Sequence, residues 1–250
     1  MGSSRCAWVA ERSCRALAAA AGTLRGAWDE LFPDLIEQAQ AETDPWKPDD
    51  AQAYCWRCGA SAGPGSVTSR GCAFCVAERV PWDRLTRLGA YATPLDDWIR
   101  RMKFRRQWRW SFWFGDRLAE VIDEPFDASK TVVCPVPMHW FRRWSRGFNQ
   151  SALMSRRVAQ RRGWEMAPLL CRTRATWPQP MVPPSRRLAN VRTSVGLAES
   201  VDLGGWEVLL VDDVKTSGAT LSACSRMLRR AGARSVQVAV AAVADPQGDS

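Results

Sequence analysis

The sequence predicts an α/β protein in which helices flank a parallel sheet, preceded by a small cysteine-rich module. Two observations lead to this fold class. From residue 131 onwards, strand-like segments alternate with helix-like ones, which is typical of a parallel sheet with right-handed crossovers. Upstream, four cysteines occur as two close pairs in a stretch rich in glycine. At 250 residues the chain can hold one medium domain and such a module.

The second half of the chain carries the elements of the predicted sheet. Residues 208–211 form a continuous apolar run, the pattern of a strand that is covered on both faces. We expect the sheet domain to span residues 85–245, with a less regular stretch over residues 169–200. The expected strands are residues 131–136, 207–211 and 235–243, and the expected helices are residues 146–161 and 218–231.

Residues 1–50 are expected to form a helical appendage in front of the cysteine module, which we place over residues 51–80. Helices are predicted around residues 11–25 and 28–40. Residues 44–50 contain two prolines and four charged side chains, which is typical of a linker. The function of this appendage cannot be predicted from its composition.

The chain is basic, with a formal net charge of +9 and an isoelectric point of about 9.4. A positive balance favours anionic partners such as phosphorylated metabolites or nucleic acid, and it does not bear on the fold. No apolar stretch approaches the roughly 20 residues that a membrane-spanning helix needs, and no segment has the composition of a secretion signal. We therefore expect a cytoplasmic protein with no membrane span.

Cys55, Cys58, Cys72 and Cys75 follow the spacing C-x2-C-x13-C-x2-C. Each close pair can place two sulfurs on one cation, and two pairs complete the four ligands of a closed zinc site. The loop between them has almost no core of its own, so Zn²⁺ would supply its stability. A redox-active dithiol and an unliganded arrangement are the alternatives. A closed four-sulfur site predicts a structural role for the metal.

Residues 208–220 combine the apolar strand with an acidic pair, Asp212 and Asp213, and a turn rich in hydroxyls. In parallel sheets ligands bind beyond the carboxyl ends of the strands, which is where the two carboxylates are expected. The N–H groups of the turn, its hydroxyls and the following helix dipole can cradle a phosphate. The residues of this turn are Lys215, Thr216, Ser217, Gly218, Ala219 and Thr220.

Carboxylates beside a phosphate cradle suit a sugar phosphate, because the acids can accept hydrogen bonds from vicinal hydroxyls while the turn holds the phosphoryl oxygens. The alternative is a solvated acidic turn followed by an ordinary helix N-cap. The complete ordered string favours the ligand site. It resembles the fingerprint with which type I phosphoribosyltransferases bind phosphoribosyl pyrophosphate (PRPP).

Residues 91–120 predict one or two helices, since Leu95, Ile99 and Met102 recur at helical spacing. Within this stretch, residues 100–117 interleave basic and aromatic side chains. Such a run could stack the bases and grip the phosphates of a single strand of nucleic acid. The alternative, which we favour, is an amphipathic helix whose tryptophans pack inside while its arginines are solvated.

A second conspicuous segment follows the first predicted strand. It contains Pro135-Val136-Pro137, the arginines Arg142, Arg143 and Arg146, and then Gly147-Phe148-Asn149-Gln150. Because the arginines lie on a loop that leaves a strand, we expect them at the same sheet edge as Asp212 and Asp213, where they can neutralise a pyrophosphate. We expect residues 147–150 to set the loop and the start of the next helix.

These segments resemble the Pro-Val-Pro and Arg-Gly-Phe-Asn-Gln signature of the competence protein F-like (ComF) phosphoribosyltransferases. In that family the four-cysteine module comes first and the PRPP fingerprint last, as they do here. The resemblance covers about residues 55–243. It implies a type I phosphoribosyltransferase-like parallel sheet with flanking helices, preceded by a small zinc-ribbon-like module.

The resemblance also implies a reaction. PRPP would be held by Asp212 and Asp213 at the ribose and by residues 215–220 at the 5'-phosphate, with Mg²⁺ as its companion ion. An unidentified acceptor, expected to react through nitrogen, would receive the phosphoribosyl group with release of pyrophosphate. The alternative is a non-enzymatic accessory protein in DNA uptake or repair that binds PRPP, a nucleotide or single-stranded DNA.

Overall fold

The architecture is taken from a computed structural model, which describes Ala41 and residues 45–105, 107–123, 126–138, 147–172 and 195–245. The helices predicted before residue 41 lie outside the described residues. So do Arg142, Arg143 and Arg146, whose predicted role at the sheet edge therefore stays a prediction.

The core of the molecule is a five-stranded sheet in which every neighbouring pair of strands is parallel. Its strands are β1 (Arg84–Ala90), β2 (Thr131–Pro135), β3 (Glu165–Met166), β6 (Glu207–Lys215) and β7 (Ser235–Val243). Their spatial order is β1-β7-β6-β2-β3, so β6 and β7 are central and both are paired along nearly their whole length. Two short strands, β4 (Leu170–Arg172) and β5 (Val195–Leu197), form a separate antiparallel pair.

Helices cover both faces of this sheet. They are α1 (Leu95–Phe104), α2 (Arg109–Val121), α3 (Gln150–Arg162) and α4 (Ala219–Arg230). The first three pack on the face that carries Leu209 and Val211. Helix α4 and the β4–β5 pair pack on the face that carries Val208 and Leu210. The predicted parallel sheet with flanking helices, preceded by a four-cysteine module, is confirmed.

Two element boundaries were predicted wrongly near the candidate site. Strand β6 does not end at Val211 but continues to Lys215, because residues 212, 214 and 215 keep their pairing with β7. Helix α3 begins at Gln150 rather than Arg146, because the side chain of Asn149 caps it by accepting a hydrogen bond from the Ser151 N–H at 3.2 Å. The acidic pair therefore lies within the strand, close to its carboxyl end.

Strand β1 was not predicted from the sequence. Its centre is Arg87, which is only 1% exposed and interrupts the apolar pattern. The two terminal nitrogens of the guanidinium donate to the carboxylate of Asp49 at 2.7 Å, the hydroxyl of Ser61 at 2.9 Å and the carbonyl oxygen of Gly59 at 2.6 Å. A buried arginine is tolerated only with such partners, and none of them is close to it in sequence.

The aromatic side chains of the basic run are part of the core. Trp110, Phe112, Trp113 and Phe114 are all buried; Trp110 stacks with Trp98 of α1, and Trp113 meets Trp98 edge to face. The predicted packing of aromatic side chains within residues 100–117 is therefore confirmed for these four rings, and the base-stacking alternative is wrong for them. The predicted solvation of the arginines is not confirmed on α2, because Arg109 and Arg117 are half-buried.

Residues 45–50 were predicted to be a linker, yet they are packed on the sheet domain. The ring of Trp46 contacts those of Trp98 and Trp113 with centroid distances of 5.5 Å, and the Asp49 N–H donates to the Leu88 carbonyl at 2.7 Å. The linker was predicted from the prolines and charged residues of this segment, but the single tryptophan is enough to pack it against the core. Across the described ranges, none of the helices combines the length and apolar character that crossing a membrane would take.

Candidate functional site

The carboxyl end of β6 brings together groups from three helices. Asp213 is 5% exposed and faces α1 and α3. Its Oδ2 accepts a hydrogen bond from the Gln150 side-chain amide at 2.9 Å and lies 3.0 Å from the Lys103 ammonium. Its Oδ1 accepts from the backbone N–H of Val214 at 2.8 Å. Asp213 is thus an oriented carboxylate whose charge is balanced by a lysine from a distant helix.

Asp212 is more accessible to solvent than Asp213. Its Oδ1 accepts hydrogen bonds from the Ser151 hydroxyl at 2.8 Å and from the Asp213 N–H at 2.9 Å. Among the described residues its Oδ2 accepts none, so it keeps its capacity for a ligand hydroxyl. Burial and the neighbouring Asp213 carboxylate raise the pKa of Asp212 to about 7, against the lowering effect of Ser151.

The turn after β6 has the backbone geometry that a phosphate cradle needs. Gly218 adopts a positive φ of 71° and immediately precedes α4. A Cβ placed on it would lie 3.3 Å from Lys215 Cε and 3.5 Å from Trp82 Cη2. Thr216 and Ser217 are exposed, and the first N–H groups of α4 have no partner four residues earlier within the helix. The turn therefore offers hydroxyls and backbone donors at a positive helix end.

The structure places most of the predicted ligand residues side by side. The predicted acids lie at the end of β6, and the predicted turn joins β6 to α4. Three residues of this site were missed, namely Lys103, Gln150 and Ser151. Gln150 belongs to the segment, residues 147–150, that was expected only to set the loop and the helix start, and Ser151 follows it directly. The position of this segment after a predicted strand was the available signal. Lys103 had no such signal.

The four predicted metal ligands also come together. Cys55, Cys58, Cys72 and Cys75 are buried, and their sulfurs all lie within 4.8 Å of one another. The Sγ–Sγ distance is 3.7 Å between Cys55 and Cys75, 3.6 Å between Cys58 and Cys72, and 3.9 Å between Cys72 and Cys75. A tetrahedral Zn²⁺ with Zn–S bonds of about 2.3 Å has sulfurs about 3.8 Å apart. The arrangement therefore fits a closed zinc site with no open coordination position.

The surroundings of the four sulfurs act on their thiols unevenly, since the pKa of Cys55 is lowered while burial raises the pKa of Cys58 and of Cys75. Burial opposes ionisation of the Cys55 thiol, but backbone N–H groups of Cys58, Arg57 and Cys72 outweigh it and lower the pKa of Cys55 to about 7. The Arg57 side chain also ties the two cysteine pairs together, donating to the Arg70 carbonyl at 2.9 Å and the Cys75 carbonyl at 2.5 Å. A thiolate in such a frame is the species that binds metal.

Comparison with known proteins finds similar chains in bacteria. The chain is 31% identical to competence protein F of Haemophilus influenzae over 198 residues, which cover 74% of this chain and 82% of that protein. It is 32% identical to the DNA utilization protein YhgH of Salmonella typhi over 196 residues, which cover 74% of this chain and 82% of that protein. With YhgH of Escherichia coli strain K12 the identity is 31% over 197 residues, covering 75% and 82%. No protein-family model matches the chain.

Two solved structures are similar to a part of the chain. One is the allosteric regulatory enzyme of purine biosynthesis, with a TM-score of 0.37 at 25% identity. The other is the glutamine PRPP amidotransferase of B. subtilis complexed with ADP and GMP, with a TM-score of 0.36 at 23% identity. Each match covers 52% of this chain and 25% of the other chain. At these scores the likeness adds nothing to the strand order and contacts described above.

Proposed function

The chain belongs to the competence protein F (ComF) family, and from this premise we propose that its sheet edge binds PRPP and transfers the phosphoribosyl group to an acceptor. The observation that carries the proposal is the adjacency of an oriented carboxylate pair and a phosphate-cradling turn at the end of β6. A phosphorylated metabolite as substrate implies a cytoplasmic protein.

The carboxylate pair would hold the ribose. Asp212 has the more accessible side chain and an Oδ2 able to accept a hydrogen bond from a ribose hydroxyl. Asp213 is held in place by Lys103 and Gln150, so its remaining acceptor capacity is directed before the ligand arrives. Groups that are fixed in this way lose little freedom on binding.

The turn would hold the 5'-phosphate through its backbone N–H groups and the hydroxyls of Thr216, Ser217 and Thr220. The arginines predicted at the same edge, Arg142, Arg143 and Arg146, would neutralise the pyrophosphate. The carboxylate oxygens of the edge are the donor type that Mg²⁺ prefers, and Mg²⁺ brought in with PRPP would offset part of the pyrophosphate charge.

The reaction proposed for this site is a substitution at C1 of the ribose. A nitrogen lone pair of the acceptor forms the new bond to C1 while the C1–O bond to pyrophosphate breaks, and the electron pair of that bond leaves with pyrophosphate. The residues above contribute by positioning the ribose and stabilising the leaving charge. Isothermal titration calorimetry with PRPP and Mg²⁺ tests whether the protein binds PRPP. We expect one binding site per chain, and a titration without binding heat would contradict the proposal.

A second candidate function is that of an accessory protein that binds PRPP, a nucleotide or single-stranded DNA without turnover. The names of the relatives, which refer to competence and DNA utilization, support it. The net charge of +9 is compatible with a nucleic-acid partner. Pyrophosphate release measured across a panel of bases and amines separates the two functions, because tight PRPP binding without turnover on any acceptor favours the accessory role. For single-stranded DNA, an affinity that is insensitive to salt would count against phosphate-led binding.

A further inference from the structure

Trp82 lies between the cysteine module and the sheet domain. Its side chain is 5% exposed and belongs to the core cluster of the α4 face. The indole Nε1 donates a hydrogen bond of 2.8 Å to the carbonyl oxygen of Arg57. Arg57 stands between Cys55 and Cys58, and its own side chain holds the second cysteine pair. One end of Trp82 is thus attached to the frame around the four sulfurs.

The other end of Trp82 lies against the turn of residues 215–220, which is called the phosphate turn after its proposed ligand. Its Cη2 atom is 3.5 Å from the position of a Cβ on Gly218, an ordinary van der Waals distance. Gly218 is the residue of the turn with positive φ. The six-membered part of the indole therefore forms one wall of the turn, while the five-membered part is held by the module.

A second connection runs from the module to the start of the same turn. The backbone N–H of Ser61 donates to Asp245 Oδ1 at 2.8 Å, and its hydroxyl donates to Asp245 Oδ2 at 2.6 Å. The residue before Asp245, Ala244, donates its N–H to the Lys215 carbonyl at 2.9 Å. Two residues of the turn, Lys215 and Gly218, are therefore linked to the cysteine module.

We propose that the four-cysteine module positions the phosphate turn, with Trp82 and Ser61 as the positioning residues that connect them. The inference rests on the proposed function in that the turn is taken as the phosphate site. A backbone cradle binds an anion well only when its N–H groups already point to one place, because ordering them on binding costs affinity.

The module can impose this order only when it is itself folded. Its interior consists of Cys55, Cys58, Cys72, Cys75 and Ala60, with Val67 packed against them. Such a small cluster cannot supply a stable core, so a metal held by the sulfurs would fix the frame that carries the Arg57 carbonyl and Ser61. Metal loading then affects a turn that contains no metal ligand.

The test is amide hydrogen exchange in residues 216–220 of the full-length protein without PRPP, together with its affinity for PRPP. Trp82→Phe removes the hydrogen bond to Arg57 and shortens the wall against Gly218. We expect about three- to ten-fold faster exchange in the turn, and an affinity loss of similar size, since one such hydrogen bond contributes that much. Exchange in the central part of β7 stays as in the wild type. Trp206→Phe, at the opposite end of β6, is the matched control and leaves the turn unchanged.

Ser61→Ala removes the hydroxyl that donates to Asp245, and with it an acceptor of Arg87 Nη2 at 2.9 Å, so both routes from the module to Asp245 are tested together. The position is exposed, so this variant remains informative if Trp82→Phe fails to fold. Its control is Ser66→Ala, whose hydroxyl donates only to the Gly63 carbonyl within the module. The inference is overturned if residues 216–220 of Ser61→Ala exchange at the wild-type rate. It is also overturned if Trp206→Phe or Ser66→Ala accelerates exchange in the turn as much as the variant that it controls. If the wild type does not bind PRPP, the proposed function fails while the exchange data still decide the connection. If PRPP binds and the variants match the wild type, only the connection fails.

Discussion

The Lys103 ammonium lies 3.0 Å from Asp213 Oδ2, although the two residues are far apart in the chain. Lys103 is in the last turn of α1, and Asp213 is near the end of β6. This ion pair connects α1 to the carboxyl end of β6. The lysine compensates the charge of the Asp213 carboxylate in the absence of any ligand. The proposed ligand site is therefore assembled from four elements rather than from the strand-turn-helix unit alone.

Removal of this lysine should destabilise the protein. Lys103→Met leaves a carboxylate that is 5% exposed and whose remaining partners, among the residues that the structure describes, are Gln150 and the Val214 N–H. We expect the free energy of unfolding to fall by about 3 kcal/mol, the lower end of the range for breaking a buried pair. Urea denaturation measures it, with Lys130→Met, on an exposed 3-10 turn, as control. Equal midpoints for the two variants would contradict a stabilising role for the pair.

Asp212 should make stability depend on pH. Its pKa in the folded protein is about 7, above the ordinary value of 3.8, so the folded state binds more protons than the unfolded state between these values. Stability therefore falls as pH rises from about 4 to about 7 and is then level. Asp212→Asn should be more stable than the wild type at pH 8, by about 1 to 3 kcal/mol after allowance for partial exposure, and similar at pH 4. Urea denaturation at both values checks this, and a wild type that is the more stable at pH 8 would refute it.

The zinc prediction concerns metal content and thermal stability. We expect about one zinc per chain in purified protein, and a large fall in melting temperature when a chelator removes it. Cys58→Ser should lose the metal, whereas Cys171→Ser, on β4 and outside the cluster, should keep it. Elemental analysis measures the content. Protein that is free of zinc and melts at the same temperature with or without chelator would rule the structural site out.

A pair of glycine variants separates backbone strain from the ligand site. Gly218 and Gly205 have similar positive φ values, 71° and 80°, but only Gly218 lies in the phosphate turn and has neighbours within 4 Å of the position that a Cβ would take. Replacement by alanine should cost each about 1 kcal/mol or more of stability. Only Gly218→Ala should also weaken PRPP binding. Calorimetry and urea denaturation give both quantities, and equal affinities in the two variants would exclude close approach of the ligand at Gly218.

Local pattern was enough to predict the central strand-turn-helix unit and the cysteine cluster. The apolar run of β6 and the spacing of the four cysteines need only neighbouring residues for their interpretation. The end of β6 was misplaced because Asp212 and Asp213 look like turn residues, while their backbone remains paired with β7. Polar side chains at the edge of a sheet therefore do not by themselves mark the end of a strand.

The remaining features depend on contacts between distant parts of the chain. Arg87 could not be recognised as a strand residue without Asp49 and Gly59, and Trp46 could not be recognised as a core residue without Trp98. Long-range pairing decides which polar side chains are buried and which aromatic ones pack. For the same reason the links from Trp82 and Ser61 to the phosphate turn emerge only in the folded protein.

The central claim is that Asp212 and Asp213 form a PRPP site with the adjoining turn. Calorimetric titration of PRPP with Mg²⁺ into the wild type and into the double variant Asp212→Asn, Asp213→Asn tests it most directly. Asp202→Asn is the control, since this aspartate accepts a hydrogen bond from Gly204 away from the edge. The account predicts saturable binding by the wild type and the control, and an affinity at least about ten-fold weaker in the double variant, the loss of one charged hydrogen bond or more. Equal affinity in all three proteins, or no binding by the wild type, would contradict it.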